Sequence, residues 1–195
     1  MLKDKFIQYI KETIPQFTVS ESGVDRIIDS FEEMTLGKGE YLLKQGKISG
    51  YYVLLSGHMR GYTFNGEGIE ITTDFYAGER VVFDGASFFL RQPSEVNIVS
   101  LSECKGYYTN YDKLNAIFHE VPEFREFGRA ILVKEFVMAQ KQKLALFSKS
   151  AEQRYLEIMQ QGNDLLQVAQ LRHIASFLGI TDTSLSRIRR ELAKK

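Results

Sequence analysis

Apolar residues recur at helical spacing through the first 34 residues: Phe6, Ile7, Ile10 and Ile14, then Val24, Ile27, Ile28 and Phe31. Pro15 separates the two sets, so the pattern predicts two short helices. Residues 35–110 read differently. Short β-rich runs (EYLLKQG, YYVLLSG, HMRGYTF, IEITTDFY, CKGYYTN) alternate with glycines, and eleven of the fifteen glycines fall between Gly37 and Gly106. Short strands punctuated by glycine turns predict a sandwich or small barrel. Asn65-Gly66, within FNGEGIEI, is a strong hairpin signal.

Residues 111–147 return to helical spacing. After Pro122 the run EFREFGRAILVKEFVMAQKQKLALF has no breaker but Gly128, and as a helix it would extend ~38 Å. Phe124, Phe127, Ile131 and Val137 fall on one side of it, and Leu132, Phe136 and Ala139 on another. Two apolar stripes predict a helix that packs on its own domain with one face and on a partner with the other. No clean heptad register fixes the contact positions.

Residues 148–195 predict a small all-helical unit. SAEQRYLEIMQQG opens with Ser150 and Gln153 at capping-box spacing, shows Tyr155, Leu156 and Met159 on one face, and ends at Gly162. QLRHIASFL, GI and TDTSLSRIRREL follow. Two helices that meet steeply over a tight turn need a small residue at the contact, a glycine in the left-handed conformation and apolar residues on both sides. Ala175, Gly179, and the group Ile174, Leu178, Ile180, Leu185 and Ile188 meet those needs in turn. Thr181 can cap the second helix, and Asp182 sits near its positive end. This is a helix-turn-helix pattern. With Leu185 and Ile188 turned inward, Asp182, Thr183, Ser184, Ser186, Arg187, Arg189 and Arg190 face outward beside Thr181. Arginine reads guanine bidentately in the major groove, Ser and Thr reach base edges, and Lys/Arg hold phosphates. Arg187, in the first two turns, is therefore assigned to bases, and Arg189 and Arg190 to phosphates or packing.

Charge sharpens that reading. The 195-residue chain has a formal net charge of zero, yet residues 141–195 carry 10 Lys/Arg against 5 Asp/Glu while residues 1–140 carry 15 against 20. A basic C-terminal quarter on an acidic remainder points to a polyanion that one part alone touches. Double-stranded DNA is the expected partner.

Other chemistries find little support. The single cysteine, Cys104, excludes an intramolecular disulfide and any multi-cysteine iron–sulfur or zinc site. It fits a reducing, cytoplasmic setting, and the opening MLKDKFIQYIKETIPQF has no signal-peptide core. No run approaches the ~18 apolar residues of a membrane span. A metal-dependent barrel enzyme would need converging histidines, but only His58 lies in the β-rich stretch, while His119 and His173 fall on helical segments. His173 reads as surface or phosphate-contacting polarity. P-loop, nucleophile-elbow and zinc-protease motifs are missing. We expect no enzyme, no metal and no bound cofactor.

The order of short helices, glycine-rich barrel, long helix and helix-turn-helix resembles the Crp/Fnr (catabolite activator) family of bacterial transcription regulators over nearly the whole chain. IASFLGITDTSLSRIRREL and KGEYLLKQGKISGYYVLLSGHMRGY carry the resemblance most specifically, and SAEQRYLEIM matches the helix before the DNA-binding unit. The resemblance implies an α+β chain: a jelly-roll (double-stranded β-helix) sensor barrel with N-terminal helices over 1–120, a dimerisation helix over 121–147 and a winged-type helix-turn-helix over 148–195. It also implies a homodimer joined through the long helix, with RNA polymerase as a further candidate partner. Nucleotide-binding members carry Gly-Glu and then Arg-Ser or Arg-Thr in the segment that holds the cyclic phosphate. Here AGERVVFDGASFFLRQPSEVNI puts Phe83-Asp84 near the first position and Pro93-Ser94 at the second. The arginine is absent, and Arg91 lies two residues before Pro93. Phosphate burial without that charge is poorly compensated. A conventional cyclic nucleotide is therefore not expected. Phe83, Asp84, Arg91 and Ser94, with Phe88 and Phe89, are candidates to line a pocket for some other effector. The competing reading is a small-molecule-binding module whose helical tail contacts proteins.

Overall fold

The computed structural model describes residues 1–16, 18–160 and 164–194. Helix α1 (Leu2–Thr13) stops just before Pro15, which disfavours helical backbone in the residue preceding it. Helix α2 (Glu21–Asp29) starts at Ser20, whose side chain accepts the Gly23 N–H. Both short helices match the sequence pattern. Phe6, Ile10, Ile14, Ile27 and Phe31 are buried, while Ile7, Val24 and Ile28 are half-buried.

Eight strands follow: β1 (Glu32–Leu36), β2 (Tyr41–Leu43), β3 (Tyr51–Ser56), β4 (His58–Phe64), β5 (Glu70–Ala77), β6 (Arg80–Val82), β7 (Asn97–Ser100) and β8 (Cys104–Thr109). They form two four-stranded sheets in the orders β1-β8-β3-β6 and β2-β7-β4-β5, every pair antiparallel. This interleaved order is that of a jelly roll. Three sequence expectations need adjustment here. The β region begins at Glu32, three residues before the expected boundary. Strands β6 and β7 and the short helix α3 (Gly85–Leu90) were not foreseen. Asn65-Gly66 does lie in the β4–β5 hairpin, but the loop is longer than a two-residue turn. Asn65 Oδ1 accepts the Glu67 and Ile69 N–H groups, and Gly68, not Gly66, takes the positive φ of 76°.

Strand β3 shows why its sequence is a continuous apolar run. Tyr51, Val53 and Leu55 point to the helices, and Tyr52 and Leu54 point between the sheets. Both faces are buried, so alternation disappears. The first core joins α1 and α2 to helix α4 (Tyr111–Glu120) and the start of helix α5 (Pro122–Ser148). The second fills the jelly roll with Tyr52, Leu54, Met59, Tyr76, Val82, Ile98 and Cys104.

Helix α5 has 27 residues, with Pro122 at its first turn, where a missing N–H is harmless. Phe124, Phe127 and Ile131 are buried, as their stripe predicts. Val137, assigned to the same stripe, is instead 43% exposed: six residues past Ile131 it lies ~120° round the helix, whereas Glu135 and Gln142, which do share the Ile131 face, reach Arg80 and Thr73 O of the barrel. Leu132, Phe136 and Leu144 are exposed as well, Phe136 by 64%. No helix among the described residues is long and apolar enough to cross a membrane.

Helices α6 (Ala151–Gln160), α7 (Asp164–Val168), α8 (Leu171–Phe177) and α9 (Asp182–Leu192) complete the chain. The Ser150–Gln153 capping box forms reciprocally: Ser150 N–H donates to Gln153 Oε1 at 2.9 Å, and Gln153 N–H to Ser150 Oγ at 3.2 Å. Gly162, expected to end α6, lies outside the described residues. The described residues of this unit contain no strand, so the wing expected with the helix-turn-helix is not found in them.

Candidate nucleic-acid interface and sensor segment

The turn between α8 and α9 is built from the backbone outward. Gly179 takes φ 67°, Ile180 N–H donates to Ala175 O and Gly179 N–H to Ser176 O, both at 3.0 Å. This is a Schellman ending, which satisfies the last carbonyls of α8 and turns the chain sharply. Ala175, Ile174, Leu178 and Leu185 are buried, closing the angle between the helices. Thr181 then caps α9, its Oγ1 accepting the Ser184 N–H at 3.3 Å. The sequence did not reveal Arg154 of α6. Its guanidinium donates to Leu178 O at 2.7 Å and to Lys149 O at 2.6 Å, tying the turn to the end of α5.

On α9, Asp182, Thr183, Ser186, Arg187, Arg189 and Arg190 are exposed, with Thr181 just before them, and Ser184 is half-buried. None of the three arginines has an ion pair among the described residues. Thr183, Arg187 and Arg190 stand four and three residues apart, so they line one ridge opposite Leu185. Arg189 lies ~100° round the helix from Arg190, on the flank.

Helix α8 rests on the barrel. Thr72 N–H donates to Ser176 Oγ at 2.9 Å, and the Phe75 and Phe177 rings meet edge-on at 5.3 Å. Strand β5 is the edge of its sheet, and α8 covers it. Behind this contact Arg60 pairs with Glu70 at 2.5 Å and lies over the Tyr62 ring. His173 is buried here, not at the surface as the sequence reading had it, and neither ring nitrogen has a partner. Burial, aided by Arg60 and Arg172, lowers its pKa to about 4. These contacts join residues ~100 positions apart, which no local pattern reveals.

The sensor candidates divide. Asp84 and Ser94 come together: Ser94 Oγ donates to Asp84 Oδ2 at 2.7 Å. The other carboxylate oxygen of Asp84 accepts Ala86 N–H at 3.1 Å and Ser87 N–H at 3.4 Å, capping α3. Phe83 belongs to an aromatic cluster with Tyr51, Phe88 and Phe89. Arg91 does not join the Asp84–Ser94 pair. It takes φ 55° at the end of α3, and its exposed guanidinium stacks over Tyr111 at 5.0 Å. Cys104 is fully buried among barrel residues, and burial pushes its thiol pKa up, which removes it as a reactive thiol. The described residues contain no metal-binding group of His, Cys, Asp and Glu. One further link joins the barrel to α5: Arg80 Nη2 donates to Glu135 Oε2 at 2.8 Å while the guanidinium covers the Tyr76 ring.

The architecture defines a class: a jelly-roll barrel joined by one long helix to a helix-turn-helix. The cyclic nucleotide-binding domain model matches residues 33–120. The chain is 30% identical over 142 residues to the fumarate and nitrate reduction regulatory protein of Yersinia pestis, a match that covers 71% of this chain. The chain spans about half the length of that relative, 55%. Its fold is similar to FixK2 from Bradyrhizobium japonicum (TM-score 0.69, 18% identity, 84% of this chain and 85% of that one). It is equally similar to a putative transcriptional regulator of the crp/fnr family from Eubacterium rectale (TM-score 0.70, 15% identity, 90% and 84%). The chain is thus similar to Crp/Fnr-family regulators in fold and, over 142 residues, in sequence.

Proposed function

We propose that the protein is a homodimeric, sequence-specific DNA-binding transcription regulator. The observation that carries this reading is the exposed ridge of Thr183, Arg187 and Arg190 on a helix fixed by a Schellman turn and a threonine cap. Three arginines without internal partners leave positive charge for an external polyanion. Arg187 reads a base, with Ser186 and Thr183 beside it, while Arg189 and Arg190 hold the backbone or pack. Asp182 and Ser184 favour the N-terminus of α9, where DNA-reading side chains enter the major groove. The similarity to Crp/Fnr-family regulators supports the same assignment.

Dimerisation runs through α5. From Leu132 onward the helix exposes large apolar side chains that its own domain does not cover, and a second copy covers them. Two recognition helices then meet half-sites ~34 Å apart, one turn of duplex. The barrel does not hold a conventional cyclic nucleotide, since the one arginine between residues 81 and 103, Arg91, is stacked on Tyr111 and not joined to the Asp84–Ser94 pair. RNA polymerase is the further partner, and the cytoplasm the setting.

Selection of duplexes from a random pool by the full-length protein tests this reading. An enriched palindromic motif is expected, with Arg187→Ala weakening binding by about 1–3 kcal/mol and relaxing the preference at one position in each half-site. A pool that never converges would end it.

A further inference from the structure

We propose that the segment from Asp84 to Ser94 is a strap held shut by the protein's own carboxylate, so that the barrel reaches its DNA-competent arrangement with no effector. The proposal rests on the DNA-binding reading above and concerns how the same protein is controlled.

The amides that open a helix attract an anion. In α3 those of Ala86 and Ser87 already have one, the Asp84 carboxylate. Its second oxygen accepts the Ser94 hydroxyl, so a single side chain clamps both ends of the strap. A serine network then sews the strap to the loop before β3. Asp84 N–H donates to Ser49 Oγ at 3.0 Å, and Ser49 N–H to Ser87 Oγ at 2.9 Å. Ser87 Oγ donates to Gln92 O at 2.7 Å. The backbone adds two more stitches at 2.8 Å: Gly46 N–H to Ser94 O, and Ser94 N–H to Lys47 O. Ser49, Ser87 and Ser94 are all buried. Buried hydroxyls and amides that satisfy one another in this way hold a segment in place.

An external phosphate would have to displace a tethered carboxylate and replace every bond it makes. Among the described residues, none of the Asp84 or Ser94 hydrogen bonds or ion pairs is made with a guanidinium. Arg91, the one arginine between residues 81 and 103, is committed to Tyr111. An apolar anchor connects the strap to the rest of the chain. Phe88 is 1% exposed and lies in the same core as Phe124, Phe127 and Ile131 of α5. A strap that opens pulls Phe88 from that core and loosens the seat of the long helix.

The test uses full-length protein with no added ligand: wild type, Asp84→Ala, Ser94→Ala and Asp84→Asn. Amide hydrogen exchange over residues 84–94 reports the strap, titration of a selected duplex reports DNA affinity, and melting with cyclic AMP or cyclic GMP reports ligand binding. We expect wild type to bind duplex unaided, to protect the strap and to melt unchanged with either nucleotide. Asp84→Ala should raise strap exchange about fivefold, the factor that a lost helix cap corresponds to, and weaken DNA binding in parallel. Should that variant fail to fold, Ser94→Ala breaks one clamp alone, and Asp84→Asn keeps the cap without the charge. Intermediate exchange is expected for both. Wild-type exchange in all three variants would overturn the proposal, as would a cyclic nucleotide that stabilises wild type and strengthens its DNA binding. A protected strap on a wild type that binds no duplex unaided would also overturn the proposal, while the DNA reading itself falls only if selection from a random pool never converges.

Discussion

Gly179→Ala isolates the turn that aims α9. A Cβ added at Gly179 meets nothing within 4 Å, so sterics outside the residue play no part. The whole effect comes from φ 67°, a conformation that disfavours a side chain by about 1–2 kcal/mol. Alanine also lowers the entropy of the unfolded chain, which offsets about 0.4–1 kcal/mol of that loss. The net expectation is a destabilisation of about 1 kcal/mol, or ~5-fold in the equilibrium between folded and unfolded helix-turn-helix. Urea denaturation of the full chain measures it, with hydrogen exchange at Gly179 and Ile180 to confine the effect to the turn. Gly179→Asn is the control, because asparagine tolerates left-handed backbone and should lie between alanine and wild type. An alanine variant as stable as wild type would refute the reasoning, and so would asparagine and alanine losing equally.

Phe136→Glu, at a position 64% exposed, should leave the melting of the monomer fold nearly unchanged while shifting sedimentation from dimer to monomer. Arg154→Ala removes donors to Leu178 O and Lys149 O and should destabilise the C-terminal unit by about 1–3 kcal/mol in chemical denaturation, with Arg154→Lys recovering only part. Two groups, half-buried Asp74 and buried His173, oppose each other in acid. Desolvation raises Asp74 from 3.8 to about 6, so the folded state binds the extra proton between those values and its stability falls as pH rises through that window. Burial lowers His173 from 6.5 to about 4, so there the unfolded state binds the proton and stability falls as pH drops from 6.5 towards 4. Thermal melts from pH 4 to 7 should therefore show steeper acid loss in Asp74→Asn and shallower loss in His173→Leu than in wild type.

The helix-turn-helix was legible because its grammar is local. Ala175, Gly179 and Thr181 act through neighbours within five residues, and each does in the structure what its type predicts. Strands β3, β4, β5 and β8 were legible as apolar runs between glycines. β6 and β7, of three and four residues, are too short to show a period, and β1 (EEMTL) carries two exposed glutamates at a sheet edge. Val137 was misplaced because six residues are not a whole number of helical turns, so it sits ~120° from Ile131 and off the buried stripe. Arg60, Arg154, His173 and Ser176 were missed or misread because their neighbours are set by tertiary contacts. In the sensor segment the sequence singled out Asp84 and Ser94 as pocket candidates but gave no sign that they bind each other.

The central claim is that this neutral chain presents a basic helix to DNA. The most direct measurement is the salt dependence of duplex binding by the full-length protein, followed by fluorescence anisotropy on a selected duplex and a scrambled one. Each phosphate neutralised contributes ~0.9 to the slope of log K against log salt. A steep linear fall is expected on both duplexes, with the selected one bound more tightly throughout. Affinity that ignores salt, or that is equal for the two duplexes, would contradict it.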